Sequence, residues 1–377
     1  MSAERVARVA LSAVFEPGDR RLPLLLAEYG GEELVARLAR GTDARLHETA
    51  ADLGGRLAAV DAAGILSAAV AAGIRFVTPD DDEWPRAVSD LDQIDPVQDM
   101  IGAPAGLWVR GPLRLDEVAD SIALVGARDA TSYGCTIAAQ MAGEVVAQGR
   151  AVVSGAAFGI DRAAHLGALA MRGRTVAVLA CGVDRAYPVA HERMLDDIAS
   201  TGAVVSELPP GSKVTRQRFL SRNRLIAALS EGVVVVEAAI RSGALNTASW
   251  ANGLSRQVMA VPGPVTSAQS DGTHELIRRG GLLVTGASDV LEACAPMGSH
   301  AVVERRAEVL PRDRLTGRAK QVIDALEVDR PMTTDEISAA AAVSPLDVAS
   351  VLQRAEQRGL VARDATGWLL TSLALRT

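Results

Sequence analysis

The sequence predicts an α/β chain. A doubly wound, mostly parallel sheet is preceded by a small N-terminal helical domain and followed by a C-terminal winged-helix domain. Three observations carry this. From Ser121 onward, short β-branched apolar runs alternate with helical stretches. Before residue 79, apolar positions recur at helical spacing in a background of Ala, Leu, Arg and Glu. After a stretch of Pro, Gly and mixed charge, the tail reads as three helices and a hairpin.

The 377 residues suffice for two or three domains, taking roughly 100–200 residues per domain. Hydrophobic residues make up 49% and aromatics 3%, so the core must be mostly Ala, Val, Leu and Ile. A net charge of −7 argues against a protein that coats nucleic acid over its whole surface, and leaves room for a local basic patch. Cys135, Cys181 and Cys294 have neither disulfide-framework nor metal-ligand spacing, which fits a reducing cytoplasm. The N-terminus lacks the pattern of a signal peptide. No uncharged apolar stretch reaches the roughly 18 residues of a membrane span. The expectation is a cytoplasmic protein without a membrane partner.

Taken in order, "RLPLLLAEYGGEELVARLAR" and "LAAVDAAGILSAAVAAG" are helical by spacing, giving a helical domain over 1–78. The acidic, Pro-containing "TPDDDEWPRAVSDLDQIDPVQDM" reads as a connecting segment that leads into the core. The core, 79–295 with that segment included, holds the runs "SIALVGA", "AVVSGAA", "RTVAVLACG", "AVVSELP", "GVVVVEAA", "QVMAVPG" and "LLVTGAS". They are apolar on consecutive positions, as strands covered on both faces are. The helical "GCTIAAQMAGEVVAQG" and "IDRAAHLGALAMRG" separate them, which makes the sheet Rossmann-like. Residues 296–316 read as a linker and 317–377 as the winged helix. There Thr333 or Thr334 can cap the second helix, and Ser344 the third, with Pro345 and Asp347 following.

Three Gly-containing loops follow predicted strands: "VGARDATSYG", "SGAAFGIDRAAH" and "RSGALNTAS". Gly126 would let the backbone approach a ligand, Arg128 could grip a phosphate, and the helix starts offer free N–H groups. Tight strand–helix turns explain one such loop equally well. Three, each with hydroxyl or Arg residues, favour an anion site on one edge of the sheet. The G-x-G-x-x-G fingerprint and the Walker sequence are both absent, which disfavours nicotinamide and P-loop enzymes. Asp161 and His165 stand four apart on a helix, as a metal or acid–base pair would. A local pair steadying the helix is the plainer account. Asp184 and Tyr187 are expected to shape a turn before Pro188.

The basic run is sharper. Lys213, Arg216, Arg218, Arg222 and Arg224 fall together with no acid among them, in an acidic chain. Cations at a helix start oppose the macrodipole by about 0.3–1 kcal/mol each. Ser221 is a plausible N-cap, and a phosphate held there would turn the arginines into ligands. Phe219 offers a base a surface to stack on, as in single-stranded nucleic-acid grooves.

Together with "FLSRNRLIAALS", "RSGALNTASWA", "QVMAVPG" and "DGTHELIRRGG", the loops "VGARDATSYG" and "SGAAFGIDRAAHLGAL" stand in the order and spacing of one family. From about Trp84 to Glu292 the chain resembles the DNA-processing protein A (DprA/Smf) family. The resemblance implies a non-enzymatic Rossmann-like core that binds single-stranded DNA and forms homodimers. It also implies loading of RecA recombinase onto incoming DNA during natural transformation, without metal or cofactor. Carried over by motif, Arg128, Arg216, Arg218, Arg222 and Arg224 are the candidate DNA-binding arginines; of the four in the run, either all touch DNA or one or two only hold the loops in place. Gly155, Gly159, Ser242, Gly243 and Thr247 would line the phosphate edge. With Gly126, Lys213, Phe219 and Asn223 they complete the expected DNA-binding set. The chain departs from the family pattern in lacking a Pro after Phe219 and in carrying Asn246 and Trp250.

The competing class is an enzyme, a nucleotide phosphoribohydrolase similar to the lysine-decarboxylase-like proteins. The loop "RSGALNTASW" lacks that group's Gly-Gly and Glu, leaving Asp161, Glu207 and Glu237 as candidate acids. In the tail, Arg354 and Arg358 are offset by Asp347 and Glu356. That suggests a protein-interaction or weak duplex-binding role.

Overall fold

A computed structural model describes residues 2–41, 45–295 and 310–375. The chain divides into two compact units, Met1–Val302 and Val303–Thr377.

The first unit is built on one nine-stranded sheet. Its strands are β1 (Ile74–Val77), β2 (Leu107–Arg110), β3 (Ile122–Val125), β4 (Val152–Ser154), β5 (Thr175–Val178), β6 (Ala203–Ser206), β7 (Gly232–Val235), β8 (Gln257–Ala260) and β9 (Leu282–Leu283). They lie in the order β1-β2-β6-β5-β4-β3-β7-β8-β9. All pairings are parallel except β1–β2 and β2–β6. The seven apolar runs are β3 to β9, as expected. The antiparallel strands β1 and β2 are a correction: "IRFV" and "LWVR" fall in the expected helical domain and in the core's leading segment. Four residues are too few to display a period, and pairing along β6 decides their state.

Helices α1 (Ala3–Val14), α2 (Arg21–Arg40), α3 (His47–Ala58) and α4 (Ala62–Ala71) come first, followed by α5 (Ser132–Ala147), α6 (Ile160–Ala170), α7 (Glu192–Thr201), α8 (Arg216–Ala228), α9 (Gly243–Gly253), α10 (Asp271–Arg278) and α11 (Ala287–Cys294). Alternate strand residues feed opposite faces. Ala123 and Val125 pack with Leu225 and Ile226 of α8 and Trp250 of α9. Ile122 and Leu124 pack with Met141 of α5 and Ala164 of α6. The helices α1–α4 share a third core with Phe76, Trp108 and α7, so the expected 78/79 division falls directly after a strand of the common sheet. The segment read as a connector is packed: a 3-10 helix at Arg86–Asp92 buries Val88 and Leu91 completely. No single described helix is long and apolar enough to cross a membrane.

The second unit holds α12 (Gly317–Asp324), α13 (Thr334–Ala341), α14 (Pro345–Gln357) and an antiparallel hairpin of β10 (Val361–Arg363) and β11 (Trp368–Leu370). Val322, Ile323, Ile337, Val348, Leu352 and Leu360 form its dry core. Thr333 caps α13 in a capping box with Glu336, and Ser344 caps α14 ahead of Pro345. Asp347 pairs with Arg318 and Ser344, so it does not offset Arg354 or Arg358. Of the expected linker, 296–309 lie outside the described residues.

Candidate nucleic-acid interface

The sheet order turns at β3. The chain runs outward from β3 through β4 and β5 to β6, then returns on α8 to place β7 on the other side of β3. Such a reversal splays the loops at the carboxyl ends of the strands and opens a crevice there. The crevice is a cleft of about 380 Å³. Gly126 and Arg128 line it from the loop after β3, and Arg241, Ser242 and Gly243 from the loop after β7. Thr247 of α9 and Phe219, Arg222 and Asn223 of α8 close it. The loop after β4 contributes Ala157 and the first turn of α6 Asp161, while Gly155 and Gly159 sit behind the wall.

The basic run does not begin where the sequence suggested. Helix α8 starts at Arg216, with Thr215 as N-cap accepting from the Arg218 N–H. Ser221 is buried in mid-helix and donates to the Arg218 carbonyl. Thr215 already supplies the cap oxygen, and the helix extends back through the arginines. Their side chains therefore leave on different faces.

Each of the four arginines has its own fate. Arg224 is 1% exposed, donates to both Glu207 oxygens at 2.7 and 2.8 Å, and reaches the Gly102 carbonyl at 3.1 Å. Arg222 is 6% exposed and donates to the carbonyls of Gly155 and Val178, both at 2.6 Å. Burial pushes its pKa down to about 10, with Asp161 opposing and Arg128 adding to the fall. Arg218 grips Glu16 with two bonds, at 2.7 and 2.9 Å, and donates to the Lys213 carbonyl at 2.7 Å. That guanidinium holds the Glu16 carboxyl below its ordinary value. Arg216 and Lys213 are exposed and have no carboxylate partner among the described residues. Arg216 lines a second cavity beside Glu16, Arg20 and Met100.

The loops differ from expectation in the same way: the protein fills much of the space that a ligand was expected to use. At the start of α5 the Glu237 carboxylate accepts from the Thr131 N–H at 2.9 Å and from its hydroxyl at 2.5 Å. The chain thus provides its own anion there. A side chain on Gly126 would strike Ile160 and the Glu237 carbonyl, so that glycine serves packing. Gly155 leaves room for the Arg222 guanidinium. Gly159, at φ +75°, turns the chain tightly against the Ala127 carbonyl. The start of α9 is the open one: Ser242 caps it, and nothing lies near where a Gly243 side chain would stand. Asn223 fixes this start by donating to the Gly243 carbonyl and to Asn246.

Asp161 and His165 do not pair with each other. Asp161 accepts from the Ala157 N–H, and burial raises its pKa. His165 bonds Thr175 across to β5. No group of three metal-ligating side chains occurs among the described residues. Asp184 does more than shape its own turn, since its carboxylate accepts from the Gly211 N–H and ties two loops together.

Two residues of the cleft were absent from the expected set. Arg241 is exposed and lines it, a role its place in the third Gly loop could have signalled. Glu237, which the sequence offered only as a candidate acid of the enzyme reading, shapes it from behind by accepting from Thr131. At the mouth, the Arg128 guanidinium lies over the Phe219 ring at 4.6 Å. A cation and an aromatic face are thereby presented as one surface.

Residues 75–295 match the family model described as DNA recombination-mediator protein A. The chain belongs to that family. A DprA relative from Mycobacterium tuberculosis is 44% identical over 353 residues, 93% of this chain and 90% of the relative. The DNA processing protein DprA of Streptococcus pneumoniae is 40% identical over 199 residues, 52% of this chain and 68% of the relative. A solved structure of DprA from Streptococcus pneumoniae superposes with a TM-score of 0.62 at 30% identity, covering 77% of this chain and 97% of that one. DprA from Helicobacter pylori, described for its single-stranded DNA binding mode, gives 0.50 at 26% identity, covering 58% and 94%. The DNA recombination-mediator A proteins are DNA-binding mediators and not enzymes, which removes the phosphoribohydrolase alternative.

Proposed function

We propose that the chain binds single-stranded DNA in the cleft at the carboxyl edge of its sheet and delivers it to RecA recombinase, acting as a homodimer in the cytoplasm during natural transformation. The observation that carries the binding step is Arg128 over Phe219 at the mouth of the cleft. There a guanidinium without a carboxylate partner among the described residues stands on a half-buried ring, a pair suited to a phosphate and its base. Arg216, Arg241 and Lys213 extend the cationic rim, and the start of α9 at Ser242 and Gly243 adds N–H donors. Thr247 backs that start from within the helix. Gly126, Gly155, Gly159, Arg218, Arg222, Asn223 and Arg224 hold the rim in place and act on DNA through it. The three helices and hairpin of the second unit are proposed to be a winged helix.

The test is salt-dependent binding of oligonucleotides by the full chain carrying Arg128→Ala and Arg216→Ala. Affinity is expected to fall for all sequences alike. The slope of log K against log salt should shrink by about 0.7 for each phosphate that the variant no longer neutralises. Unchanged binding by the double variant would overturn the assignment.

A further inference from the structure

Aromatic side chains are scarce here, at 3% of the residues, and most are wholly or partly covered. Among the described residues, three aromatics are clearly exposed: Tyr133 at 40%, Phe158 at 48% and Tyr187 at 42%. All three stand at the carboxyl ends of the strands. Tyr133 is in the first turn of α5, Phe158 lies between β4 and α6, and Tyr187 is in the loop after β5. A chain with so few rings gains nothing in stability by leaving these in water. Their gathering on one edge calls for a ligand with flat apolar faces.

Tyr187 is the best placed. Its ring lies 5.6 Å from Phe219, tilted by 54°, and the Arg128 guanidinium lies 4.6 Å from the same Phe219 ring. Arg128 and Phe219 line the cleft, and Tyr187, outside that lining, continues the contact from Phe219. Cations flank the far end. Arg185, two residues before Tyr187, is exposed without a carboxylate partner among the described residues. The loop before α8 is stitched to the Tyr187 loop by Gly182 N–H to the Ser212 carbonyl and by Gly211 N–H to Asp184. This brings Lys213 to the same side. Rings with cations at their flanks match a chain of bases on a phosphate backbone.

We infer that Tyr187 is a second base-stacking platform, taking the base next to the one at Phe219 and leading the strand out of the cleft past Arg185 and Lys213. This rests on the proposed single-stranded DNA binding. The platform reads base faces and not base edges, so it tolerates any sequence.

The test compares an oligothymidylate with an abasic strand of the same length, both titrated into the full chain. Tyr187→Ala is expected to weaken oligothymidylate binding roughly tenfold, the size of one base–aromatic stack. It should leave abasic-strand binding unchanged, and Tyr187→Phe should bind both strands as the parent does. Tyr187→Leu keeps apolar bulk against Phe219 and gives the same answer if the alanine variant unfolds. Equal loss on both strands, or no loss on either, would overturn the platform. Arg128→Ala in the same assay tests the cleft itself: it should weaken both strands, and binding unchanged there would defeat the cleft reading independently of Tyr187.

Discussion

Arg224 and Glu207 close a two-pronged ion pair at 2.7 and 2.8 Å beneath α8, with side chains 1% and 9% exposed. The pair fixes the helix that carries the cleft wall against the loop after β6. Removing one partner strands the other charge in a dry site, which costs about 3–5 kcal/mol. Arg224→Ala should therefore lower the urea midpoint sharply. Arg224→Met combined with Glu207→Leu should recover most of the loss, because no charge is left buried. A midpoint unchanged in Arg224→Ala, with DNA binding lost, would move Arg224 from scaffold to interface.

Gly155 and Gly243 should respond in opposite ways to the same substitution. A methyl at Gly155 collides with Arg222, whose bonds to the Gly155 and Val178 carbonyls would have to break or shift. Overpacking of this kind costs about 1–3 kcal/mol. Gly243→Ala meets nothing and sits at the first residue of a helix, so stability should hold or rise slightly. Thermal unfolding of the two variants checks this, and equal melting temperatures would refute it.

His165 makes the fold sensitive to mild acid. Its Nδ1 lies 2.8 Å from the Thr175 hydroxyl, which itself donates to the Val152 carbonyl. The hydroxyl's one proton is thus committed, and the imidazole must donate from Nδ1. Its Nε2 is buried without a partner. Burial, with the nearby Arg222 charge adding to it, pushes the pKa down from 6.5 to about 3. A group depressed in this way contributes stability that is complete above the unfolded value and is lost as pH falls towards the folded one. Unfolding free energy should decline from about pH 6.5 downward, by up to roughly 1.4 kcal/mol per pH unit for one proton. His165→Asn should flatten that decline in urea titrations at several pH values. A variant with the parent's slope would exclude His165 as its source.

Most of the sheet could be read in advance because β3 to β9 are β-branched runs whose composition and covered faces agree. The Gly loops, with Arg128 and Ser242, were legible for a similar reason, since they follow strand ends, and Phe219 was legible from its place inside the basic run. The roles of the arginines were not. Glu207 is 17 positions from Arg224, Gly155 is 67 from Arg222, and Glu16 is 202 from Arg218. A charge run shows which side chains need partners and is silent about partners that folding brings from elsewhere. Ser221 misled for a local reason: two hydroxyl residues could each cap the helix, and the earlier one, Thr215, does.

The Glu237 carboxylate at the start of α5 makes the cleft lopsided. On the β3 side, the helix end already holds a negative group and repels another. On the β7 side, the helix end at Ser242 and Gly243 stands open beside Arg241. Of the two helix ends facing the cleft, the one at α5 is closed to an anion and the one at α9 is open to it. The helix-end donors of the cleft are thereby concentrated on its α9 side.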